Sequence, residues 1–73
     1  MNKAKNDKFI RLAENRVNKV IEGLRLISNL SNRSNYSYSS REVNKIFEAI
    51  DTDVKVMKIK FRENLKKDKR FKL

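Results

Sequence analysis

The stretch VKVMKIKF, residues Val54–Phe61, decides the fold. Its β-branched residues alternate with lysines, a pattern that suits a strand. As a strand, one side would hold Lys55, Met57, Ile59 and Phe61, and the other Val54, Val56, Lys58 and Lys60. Both sides would mix apolar and charged groups, so neither could lie cleanly on a core. As a helix, the same residues sort themselves. Val54, Met57 and Phe61 continue a seam begun by Val43, Ile46, Phe47 and Ile50 and extended by Leu65. Lys55, Lys58, Arg62, Lys66 and Lys69 then gather in one adjacent stripe. The face test predicts helix over about 40–67, with Asp51-Thr52-Asp53 as a candidate kink or break.

Upstream, the start signal of that helix is unusually complete. Ser39 as N-cap, followed three residues later by Glu42, makes a capping box, and Tyr38 is placed to staple onto Val43. Before it lies a polar joint, about 31–39, in which Ser31, Asn32, Ser34 and Asn35 compete with the backbone for hydrogen bonds and stop the preceding helix.

That first helix is predicted over about 7–30. Ile10, Ala13, Val17, Val20, Leu24 and Ile27 are spaced three, four, three, four and three, a seam of a and d positions. Phe9, Leu12, Ile21 and Leu30 widen the apolar arc to roughly half the circumference at about 100° per residue. Asp7 is expected near the helix N-terminus, where a negative charge favours the dipole. Gly23 either weakens the helix by about 1 kcal/mol relative to Ala or permits a neighbour to approach closely.

The expected fold is all-α, a helical hairpin of two long helices joined by a polar Ser/Asn/Tyr loop. It forms a single small domain over residues 1–73, with a basic tail at 66–73. A chain of 73 residues leaves little stability to spare. The arc on the first helix is wider than one partner helix covers, and Val56 and Ile59 lie outside the seam of the second. Phe9, Leu12, Ile21, Leu30, Val56 and Ile59 are therefore the expected partner or dimer face, completed by a dimer mate or a larger protein.

Composition narrows the function. Cysteine and histidine are both absent, so no disulfide framework, zinc cluster, thiol nucleophile or imidazole base is available. The nine Asp and Glu residues form no visible catalytic pair. No catalytic residue, metal site or cofactor is expected, and the chain is not expected to be an enzyme. The N-terminal MNKAKNDKF is basic but leads into no uninterrupted apolar run, and no stretch approaches transmembrane length. A cytoplasmic protein is expected.

Lys and Arg number 19 against nine acids, a net charge of +10. Residues 1–53 hold ten bases and seven acids, a net of +3, whereas 54–73 hold nine and two, a net of +7. An excess so concentrated favours a polyanion. Lys55, Lys58, Arg62 and Lys66, continued by Lys67, Lys69, Arg70 and Lys72, are the candidate phosphate contacts, which position a protein without reading sequence. Solvated surface or a protein-docking tail is the bland alternative. A membrane surface is not expected, because the tail has no Trp and only Phe61, Leu65, Phe71 and Leu73 as anchors. Arg33 and Tyr36 are candidates for stacking on unpaired bases. The long joint argues against a helix-turn-helix. Nucleic acid is the expected partner, DNA favoured over RNA.

The run from Ala13 to Ile50, through RVNK, LSNRSNY and EVNKIFEAI, resembles a group of small proteins encoded on mobile elements of Gram-positive bacteria. It is also similar to the small partner subunits of polymerase-type primases carried by cassette chromosome elements. That resemblance implies a noncatalytic accessory subunit that binds single-stranded DNA and docks on a larger polymerase or primase. A protein-interaction module, such as an inhibitor, antitoxin or adaptor, is the competing expectation.

Overall fold

The structure, a computed structural model, describes residues 2–66. The fold is all-α, two long helices joined by a polar loop. Helix α1 spans Lys3–Asn29 and helix α2 spans Ser40–Lys66, 27 residues each and so about 40 Å long. The chain divides into two units, residues 1–37 and 38–73.

Helix α1 begins four residues earlier than the apolar period suggests. Asn2 is its N-cap, in extended conformation at φ −77° and ψ 116°. The Asn2 Oδ1 accepts from the Lys5 N–H at 3.1 Å, and its carbonyl accepts from the Asn6 N–H at 3.0 Å. The extra turn contains no large apolar residue, so hydrophobic periodicity cannot register it. Asp7 consequently lies beyond the first turn, which holds no acid, and the expected dipole contribution of Asp7 is corrected accordingly. A methyl added at Gly23 would meet nothing within 4 Å among the described residues.

The end of α1 tightens into three-residue turns. Leu30 N–H donates to the Ile27 carbonyl and Ser31 N–H to that of Ser28, both at 3.0 Å. Asn32 then organises the joint. Its Oδ1 accepts from the Ser34 N–H at 3.0 Å, and its carbonyl accepts from the N–H groups of Asn35 (3.1 Å) and Tyr36 (3.0 Å). No described residue adopts a positive φ, so the joint turns without glycine.

Helix α2 opens on the predicted box. Ser39 N–H donates to Glu42 Oε1 at 2.9 Å, while Glu42 N–H donates to Ser39 Oγ at 3.2 Å. Tyr38 and Val43, the expected staple, are both partly covered among residues that are mostly exposed. The helix passes unbroken through Asp51-Thr52-Asp53 and through 54–61. The candidate kink is thus absent: Ile50 and Val54 keep the apolar period across it, and Asp51 and Asp53 flank the seam without interrupting it. No side chain among the described residues is buried, and each helix carries its apolar stripe mostly exposed, with Leu12, Ala13, Val43 and Ile50 partly covered.

Candidate nucleic-acid interface

The stripe on α2 follows from helix continuity. At 100° per residue, Lys55, Lys58, Arg62 and Lys66 fall within an arc of about 80°, and rise about 16 Å from first to last. All four are exposed. Their neighbours in the seam, Phe47, Met57 and Leu65, are exposed too, so the cationic track borders an apolar one. Lys67, Lys69, Arg70 and Lys72 lie outside the described residues.

One feature of the stripe escapes a count of net charge. Followed towards the N-terminus, the same face carries Asp51 four residues before Lys55, and Glu48 three residues before Asp51. The cationic track therefore starts at Lys55. A phosphate chain laid along it would meet acids if it continued past that point. The signal was present in the sequence as i, i+3 and i, i+4 spacing, but only a fixed helical phase gives it meaning.

Arg33 and Tyr36 belong to the joint that follows α1, in the other unit. Tyr36 is exposed, with its backbone tied to Asn32. Its side chain thus projects from an ordered turn, which reduces the entropy lost when a flat ligand stacks on it. Of the expected partner face, Phe9, Ile21, Leu30, Val56 and Ile59 are exposed, and Leu12 is partly covered. Leu30 is also the C-cap of α1.

The Glu42 carboxyl is held below its ordinary pKa, chiefly by the hydrogen bond from the Ser39 backbone N–H and then by that from the Ser39 hydroxyl. This is capping chemistry, and it makes Glu42 a structural carboxylate.

No helix among the described residues is long and apolar enough to cross a membrane. No protein-family model, curated protein or solved structure matches the chain.

Proposed function

We propose that this chain is a noncatalytic accessory protein that binds single-stranded DNA without regard to sequence and works beside a larger replication or priming enzyme of a mobile element. The observation that carries the DNA-binding part is the continuity of α2 through 54–61, which aligns Lys55, Lys58, Arg62 and Lys66 on one exposed stripe. Cations at that spacing hold phosphates by charge and release counterions on binding. Tyr36, exposed on its ordered turn, and Arg33, three residues before it, supply faces on which unpaired bases stack. The priming partner rests on the resemblance of Ala13–Ile50 to mobile-element proteins, joined to the exposed apolar stripes that a partner would cover.

Those same stripes favour a second reading, a protein-interaction module whose charge matches an acidic protein. A labelled single-stranded oligonucleotide, titrated at two salt concentrations, separates the two. Binding that weakens steeply with salt is the expected result, and no binding at low salt would leave the interaction module as the better reading.

A further inference from the structure

The seam of α2 has a heptad phase from Val43 to Phe61, with Ile46 and Leu65 at flanking g and e positions and Asn64 at the next d. With Val54 at position a, Phe47, Val54 and Phe61 occupy a, and Val43, Ile50 and Met57 occupy d. Val54 is 37% exposed and Met57 49%, so the middle of the seam is uncovered. The flanking e positions then hold Asp51 and Lys58, and the g positions hold Asp53 and Lys60. On each side of the seam an aspartate precedes a lysine by one heptad.

The helix as a whole is polarised in the same sense. Residues 40–53 contain Arg41 and Lys45 against Glu42, Glu48, Asp51 and Asp53, two minus four, or −2. Residues 54–66 contain five bases (Lys55, Lys58, Lys60, Arg62, Lys66) against Glu63, a net of +4.

We infer that α2 docks on α2 of a second copy of this chain, antiparallel, about a two-fold axis between Lys55 and Val56. In that register Val54 faces Met57 of the second copy, and Ile50 faces its Phe61. The e positions meet across one flank and the g positions across the other. Asp51 then pairs with Lys58 of the second copy and Asp53 with its Lys60. The symmetry repeats each pair, so every flanking charge in the middle two heptads finds its opposite. The −2 half of each helix lies along the +4 half of its mate.

The parallel alternative is poorer on two grounds. It pairs only Asp53 with Lys58 of the other copy, leaving Asp51 beside Ile46 and Lys60 beside Leu65. It also brings the two +4 halves together. In the antiparallel pair Lys58 is taken up by Asp51 of the second copy, while Lys55, Arg62 and Lys66 stay at outward b and f positions, so three of the four cations of the stripe remain open to phosphate.

The test begins with sedimentation equilibrium of the unmodified chain, without nucleic acid, which keeps its outcome separate from that of the DNA-binding reading. A reversible dimer is expected, and a monomer at every concentration would overturn the inference. Asp51→Lys with Asp53→Lys should raise the dimer Kd roughly tenfold or more, because four attractive pairs become repulsive. Adding Lys58→Asp and Lys60→Asp should restore it, which also shows that the first variant still folds. A Kd indifferent to the reversal would count against the pairing. Orientation is read by cysteine, of which the chain has none. An equimolar mixture of Val54→Cys and Met57→Cys chains should oxidise to the mixed disulfide, with little self-linking by either. Self-linking as efficient as mixed linking would indicate parallel helices and overturn the proposal.

Discussion

Ser39 and Glu42 show how two side chains set the start of a 27-residue helix. Each supplies the acceptor for the other's backbone N–H, at 2.9 and 3.2 Å. Ser39→Ala removes one of these acceptors and should destabilise α2 by about 1 kcal/mol, measured as lost helicity by circular dichroism. The carboxylate adds a pH dependence of known sign. Its pKa is lower folded than unfolded, so the stabilisation is present above the unfolded pKa and is lost as pH falls through the folded one. Helicity should therefore fall on acidification through and below the ordinary carboxylate range. Glu42→Gln keeps a capping acceptor but does not titrate, so it should blunt the acid transition at this end of α2. An unchanged acid titration in that variant would remove Glu42 from the cause.

At the scale of elements, periodicity was the most legible signal. The decision over 54–61 rested on which residues share a face, and α2 runs unbroken through them because Val54, Met57, Phe61 and Leu65 extend the spacing of Val43 to Ile50. The capping box was equally readable, since its logic is local. Two features were not. The first turn of α1 holds Lys3, Ala4 and Lys5, with nothing for an apolar pattern to catch, and its start depends on one polar side chain, Asn2. In the joint, four Ser and Asn residues flank Arg33 on equal compositional terms, and only backbone geometry singles out Asn32 as the acceptor for three N–H groups. Of the candidate interface, the basic stripe was legible once the phase of α2 was chosen. Asp51, the first of the acids that limit it, lay in a segment suspected of breaking the helix. Gly23 supplies a test of α1 as an element. A methyl there meets nothing within 4 Å, so Gly23→Ala should stabilise α1 by about 1 kcal/mol in thermal unfolding followed by circular dichroism. Loss of stability would mean that the backbone of another chain approaches α1 at Gly23.

For the molecule as a whole, the distribution of charge matters more than its sum. The net charge of +10 would attract any polyanion, but only an ordered stripe makes a countable set of phosphate contacts. Lys55, Arg62 and Lys66 are the members of that stripe at b and f positions, away from the apolar seam, so their removal should leave the helix intact. The most direct measurement is the salt dependence of binding to a single-stranded oligonucleotide, for the unmodified chain and for the variant with all three changed to Gln. Lys58 is retained so that its flank of the seam is undisturbed. With about 0.7 counterions released per phosphate contact on a single strand, the slope of log K against log salt should become shallower by about two, and affinity should fall to a similar extent for every sequence tested. Equal slopes and equal affinities for the two proteins would contradict a phosphate-binding role for the stripe on α2.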